Sequence, residues 1–166
     1  MNTLRIPFVF LLLSLFVFSC GNSSSTDTSD AADSVLQVKP FAVEKYYLGL
    51  YDGQEVEEVS NNVFSRGDKV FFALRNISGI TRGNDELYYI DISMKITNSI
   101  GELIALHTYM YGDKGHKDFE NGVVKKPFAA FLTDVNMPVG TYNFELTVHD
   151  KVVNDSLVFM KEFILE

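Results

Sequence analysis

Tryptophan is missing from this chain, cysteine occurs once, and histidine occurs three times in 166 residues. A single cysteine excludes an internal disulfide, and three histidines leave few side chains able to move protons near neutral pH. Phosphate-cradling loops of the Gly-x-x-x-x-Gly-Lys type are lacking. So is any Gly-x-Ser-x-Gly turn that would present a serine nucleophile to a histidine. No apolar run reaches the roughly 20 residues that a membrane-spanning helix needs. What the chain does hold is 46% hydrophobic and 22% charged residues, the balance of a globular protein with room for one domain.

The apolar residues are spent in two different ways. Residues 6 to 18 form one uncharged run behind a single positive charge at Arg5. A charged start, a short apolar run and a small residue at its end are the layout of an export signal. This predicts a leader over residues 1 to 19. Residues 21 to 34 contain no large apolar side chain, cannot offset their ordering entropy by burial, and read as a flexible stalk. As a random coil, that stalk would hold the folded part roughly 20 Å from its point of attachment. Without the leader the chain carries 13 basic and 22 acidic residues, a net charge of −9. An acidic protein of this kind is not drawn to nucleic acid or to anionic headgroups by its overall field.

Val17, Phe18, Ser19 and Cys20 resemble the lipobox of bacterial lipoproteins, with Phe18 departing from the small residue usual there. The resemblance implies that the Cys20 sulfur receives a diacylglycerol and that cleavage makes Cys20 the new, N-acylated end, palmitate being a typical chain. Several acyl chains anchor stably where one does not. The expected location is then the bacterial cell envelope, on the periplasmic side of the outer membrane or at the cell surface. Asp33-Ser34-Val35 and Asp155-Ser156-Leu157 are similar to the Asp-Ser/Thr-aliphatic acceptor of O-glycosylation in Bacteroidetes. Ser34, on the stalk, is the candidate acceptor, because Ser156 begins a strand.

From residue 35 to 166 the dominant period is two, the mark of strands with one buried face. Tyr88, Ile90, Ile92, Met94 and Ile96 alternate with polar residues, and so do Tyr142, Phe144, Leu146 and Val148. Turn signals at Asp52-Gly53, Arg66-Gly67-Asp68, Ser78-Gly79, Asn98 to Gly101, Gly112 to Gly122, Pro138 to Gly140 and Asn154-Asp155 divide seven or eight strands. These are expected at about 36 to 50, 55 to 59, 69 to 77, 87 to 98, 102 to 111, 127 to 133, 140 to 149 and 156 to 165. The fold class is therefore all-β, an antiparallel sandwich. Gly140-Thr141-Tyr142-Asn143-Phe144 resembles the tyrosine corner of immunoglobulin-like domains, with Phe144 where their second core cysteine would stand. Lacking tryptophan and a core cysteine pair, the chain is similar to the cysteine-free Ig-like or fibronectin-type modules of bacterial surface proteins.

Catalytic chemistry finds little support. If residues 98 to 101 turn a hairpin with Thr97 opposite Glu102, His107 falls opposite Ile92 as a half-buried histidine. His149 sits on the polar face and is expected to be solvated. His116 lies among Asp113, Asp118 and Glu120, but Lys114 and Lys117 interrupt the carboxylate spacing that a calcium loop requires. The paired carboxylates Asp85–Glu86 and Glu57–Glu58 read as solvated surface. No catalytic residue, metal or cofactor is expected.

The same register pairs Lys95 with Ile104, Ser93 with Leu106, Asp91 with Thr108 and Tyr89 with Met110. The face predicted to meet solvent would then carry Tyr89, Ile104, Leu106 and Met110, oilier than solvent requires. These four residues are the candidate binding surface, for a protein partner or for a glycan stacked on the tyrosine. A competing reading has residues 36 to 50, with Tyr46 and Tyr47, simply cover it. The expected function is thus a membrane-anchored, non-catalytic binding or adhesion module. A structural subunit of an envelope complex is the alternative, and a hydrolase of unrecognised type is a weaker third.

Overall fold

The computed structural model describes residues 40 to 166. The leader, Cys20, the stalk and Ser34 lie outside the described residues. In chain order the strands are β1 (Ala42–Tyr51), β2 (Val56–Glu58), β3 (Val63–Phe64), β4 (Lys69–Ser78), β5 (Tyr88–Asn98), β6 (Leu103–His107), β7 (His116–Lys117), β8 (Phe128–Leu132), β9 (Gly140–Asp150) and β10 (Asp155–Leu165). Two short 3-10 turns flank β7, at Gly112–Gly115 and Glu120–Gly122. The period-two pattern is realised most fully in β9, where Tyr142, Phe144, Leu146 and Val148 are buried while the residues between them are not.

Two sheets result, one ordered β2-β1-β4-β8 and the other β3-β10-β9-β5-β6, with β7 a further short partner of β5. Every pairing is antiparallel except β3 with β10. This is the expected all-β sandwich. Its inner faces meet in one core that includes Leu48, Phe72 and Leu74 from the first sheet and Ile92, Phe144 and Phe163 from the second. At the centre, Phe72 and Phe144 meet edge to face with centroids 5.3 Å apart. These two rings join the central strands of opposite sheets, where antibody domains place a disulfide. Tyr142 is buried, its ring stacked on Phe163 and its hydroxyl donating to the Pro138 carbonyl at 2.7 Å. That bond ties the start of β9 to the turn before it.

Seven strands have five or more residues, and β2, β3 and β7 are short additions. Neither β3 nor β7 was legible as a period, since two residues show none. Each exists because a distant strand offers a free edge: β3 runs parallel to the end of β10, and β7 pairs with Tyr88 and Tyr89. The strand expected to reach residue 111 ends at His107, because Tyr109 takes a positive φ of 52° and the chain leaves the ladder there.

The hairpin register also differs from expectation. Asn98 pairs with Glu102 through a three-residue loop in which Gly101 has φ 82°. This is the turn that adds a glycine bulge, and it offsets the ladder by one residue. A bulge between Ile96 and Thr97 adds another. The two offsets place Leu106 opposite Lys95 and His107 opposite Met94. Because they sum to two, each side chain slides along β5 while keeping its face.

Phe144→Ala is expected to destabilise the domain by about 3 to 5 kcal/mol, the range for deleting a buried aromatic side chain. Tyr142→Phe, which keeps the ring and loses one hydrogen bond, should cost about 1 kcal/mol. Urea midpoints measured on residues 40 to 166 would check both, and a cost for Tyr142→Phe as large as that of Phe144→Ala would contradict this assignment.

Candidate binding surfaces

Among the described residues β6 is the outermost strand of the second sheet, and none of their strands bonds the side of its backbone turned away from β5. Its sequence, Leu103-Ile104-Ala105-Leu106-His107, contains no lysine, acid or proline. Such residues are the usual means by which exposed edges are kept from pairing with other chains. Ala105 turns toward the core with Ile96, whereas Leu103 and Leu106 are more than half exposed and Ile104 is also exposed. Past the end of the strand, Tyr109 and Met110 are exposed as well, Met110 donating its amide to the Ile92 carbonyl at 2.8 Å. Three of the four expected surface residues, Ile104, Leu106 and Met110, therefore lie together along this edge. Tyr89 does not join them. It lies opposite His116 rather than Met110, three residues further along β5 and so about 10 Å away. Its half-buried ring stacks on the His116 imidazole with centroids 5.1 Å apart. β1 does not cover this face, because it pairs with β4 in the other sheet.

What does cover part of β5 is the chain's own continuation. Asp91, expected to face solvent opposite Thr108, is buried and accepts amide hydrogens from Ile92 at 2.7 Å, Tyr111 at 2.8 Å and Gly112 at 3.2 Å. A buried carboxylate must be satisfied in this way, and so it holds the segment after β6 down on the sheet. Gly115 lies so close to the Ile90 carbonyl that a Cβ at this position would collide with it. The segment then crosses to the first sheet. There Val124 exchanges backbone bonds with Ile77 at 2.9 and 3.0 Å, Asn76 donates to the Lys125 carbonyl at 3.0 Å, and Leu74 donates to that of Pro127 at 2.9 Å.

The histidines occupy environments the sequence did not indicate. His107 lies opposite Met94 and is exposed, not half-buried. His116 contacts Asp85 at 2.8 Å, and the Asp85 carboxyl is held below its ordinary range, first by the Leu87 amide and then by His116. His149, expected to be solvated, is partly buried: Nε2 lies 2.9 Å from Ser93 Oγ, and the Tyr109 ring packs against it. Lys151 sits over that tyrosine, 4.1 Å from the ring centroid. Burial, and then the Lys151 charge, push the His149 pKa below its ordinary value, with Asp91 opposing. A hydroxyl beside an imidazole invites comparison with a nucleophile and its base. However, Ser93 Oγ also accepts the Tyr109 amide at 3.2 Å, which draws on the lone pairs a nucleophile would use. The Asp91 carboxylate is occupied by backbone amides rather than by the imidazole. Among the described residues no group of three or more histidine, cysteine or acidic side chains is placed to hold a metal ion.

A second apolar surface went unread. On the outer face of the first sheet Tyr47, Val56, Phe71 and Ala73 form a separate buried cluster, with Ala130 packed on it. The Tyr47 hydroxyl donates to the Val56 carbonyl at 3.0 Å. Gly49 leaves room for β2 to curl over the sheet, since a Cβ there would collide with the Glu57 carbonyl. Tyr51, Phe128 and Leu132 extend this face into solvent. The signal available was the unbroken apolar run of residues 70 to 74, which marks a strand buried on both sides.

No protein-family model and no curated protein matches the chain. Among solved structures, it is similar to a family 123 glycoside hydrolase from Clostridium perfringens at TM-score 0.38 and 15% identity. The match covers 74% of this chain and 27% of that one, so the chain spans about a quarter of the enzyme's length.

Two outcomes are expected. The depressed His149 pKa means that the unfolded state binds more protons than the folded one as pH falls below about 6.5. Its contribution to stability is therefore complete above that pH and is lost below it. Melting curves across this range should show a slope that His149→Gln reduces, and an unchanged slope would contradict the burial described. Asp91→Asn should cost about 2 kcal/mol, the worth of hydrogen bonds to a charged acceptor. It should also speed amide exchange at Tyr111 and Gly112 ahead of the rest of the domain. Exchange accelerated uniformly would show that Asp91 is not the local anchor.

Proposed function

We propose that this chain is a lipid-anchored module of a bacterial cell envelope that acts by binding a protein partner along β6. The observation that carries the reading is an uncharged edge strand with exposed Leu103, Ile104 and Leu106 and no protecting residue. Such an edge offers a row of backbone donors and acceptors to an extended segment, and its alternate side chains offer apolar contact. A protein fits this surface better than a glycan does. Sugars stack on open aromatic faces, and the one aromatic ring expected to serve, that of Tyr89, is taken up by His116. The address rests on the apolar leader ending at Cys20 and on the polar stalk behind it. In this reading the lipid supplies attachment, the stalk supplies reach, and the sandwich presents β6.

The test is site-specific photocrosslinking in cells, with the reactive residue at Leu106 or, as a control, at exposed Val139 between β8 and β9. A discrete adduct from position 106 and none from 139 is expected. Leu106→Glu should abolish the contact without changing the melting temperature. Equal or absent adducts at the two positions would overturn the reading. A partner recovered in fixed stoichiometry after detergent extraction would identify the module as a structural subunit, while one exchanging on dilution would identify capture. Mass spectrometry of the mature N-terminus, with Cys20→Ser as control, checks the anchor: an unacylated, soluble native protein would refute it.

A further inference from the structure

The segment that crosses between the sheets lines an open groove of about 550 Å³, a size that accommodates small organic ligands. Its apolar lining, Tyr111, Phe119, Val123, Val124 and Pro127, is buried or half-buried. Its exposed lining includes Lys114, Lys117, Lys125 and Lys126, four of the ten lysines in a chain whose net charge is −8.

Pairing separates these four. Lys125 meets Glu120 at 2.6 Å, Lys126 meets Glu55 at 2.9 Å, and the groove's other acid, Asp118, lies 3.9 Å from Arg82. Lys114 and Lys117 have no carboxylate within 4.0 Å among the described residues, and the Lys117 ammonium lies over the Phe119 ring at 5.1 Å. Two uncompensated ammonium groups therefore stand beside an apolar lining. The walls are already in place, fixed to β5 through Asp91 and Gly115 and to β4 through Val124, Lys125 and Pro127. A ligand would not have to order them, which removes a large part of the usual cost of binding.

We propose that this groove binds a small organic anion with an apolar body, an aryl or acyl carboxylate. Its charge is held by Lys114 and Lys117, and its body packs against Phe119, Val123 and Val124. The site is separate from β6, and its existence does not depend on a protein partner there.

The test is two-dimensional NMR of the full chain titrated with 4-phenylbutyrate, its uncharged amide and 4-phenylbutylamine. Saturable shifts centred on Phe119, Val123 and Val124 are expected for the carboxylate, with the amide weaker by about tenfold and the amine giving none. The double variant Lys114→Gln, Lys117→Gln should weaken the carboxylate by about tenfold while leaving the urea midpoint unchanged. Added salt should weaken it in the same direction. Absent or non-saturable shifts, shifts centred elsewhere, equal affinity for carboxylate and amide, or affinity unchanged in the double variant would each overturn the proposal.

Discussion

The buried Asp91 carboxylate organises the outer edge of the second sheet and the connection that leaves it. Asp91 lies on the outer face of β5, where a strand residue would ordinarily meet water, yet it is almost wholly enclosed. Its charge can remain there only because three backbone amides surround it, two of them contributed by the chain as it leaves β6. The need to satisfy that group brings residues 111 and 112 down onto the sheet. It thereby fixes where the hairpin edge ends, where Tyr109 meets His149, and where the crossing segment begins. At its far end the same segment is held by backbone bonds to β4, and between the two attachments Tyr111, Phe119 and Val124 pack against the core.

Two surfaces of opposite character follow from that docking. Before the anchor, β6 presents aliphatic side chains and a backbone edge that no described strand bonds, with no charge on the strand. After it, lysines gather around a groove whose lining includes Phe119 and Pro127. Each is local to a few residues, and neither follows from the sandwich fold, which hosts many unrelated functions. The distinctive features sit on the second sheet's outer edge and in the connection to the first, while the inner faces hold the core.

The sandwich itself was legible because alternation over ten or more residues, as in β5 and β9, has no competing reading. Tyr142 and its corner were legible for a similar reason: the motif is local, and the hydroxyl reaches back only four residues. The hairpin's faces were also readable, so the exposure of Ile104 and Leu106 follows from parity alone. Its register was not, since a glycine-bulge turn and a second bulge at Ile96 leave the same pattern of apolar and polar residues behind. The position of Asp91 was beyond reach, because its two distant amides lie 20 and 21 residues away and backbone donors have no sequence signature. Lys114 and Lys117 read from the sequence only as an obstacle to calcium, because the approach of Val123 and Val124 to them depends on the docking of the segment between the sheets. The outer cluster of the first sheet was present in the run of residues 70 to 74, whose unbroken apolar character means burial on two sides.

The central contact between the sheets is the meeting of Phe72 with Phe144, held by dispersion and ring electrostatics and by no covalent bond. The chain's one cysteine, Cys20, lies outside the described residues, and residues 40 to 166 contain no other. Reductant therefore has nothing to cut within residues 40 to 166, and the domain needs neither an oxidising compartment nor a thiol oxidase to reach its native state. Its folding is indifferent to redox poise, so the same sandwich would form on either side of a membrane.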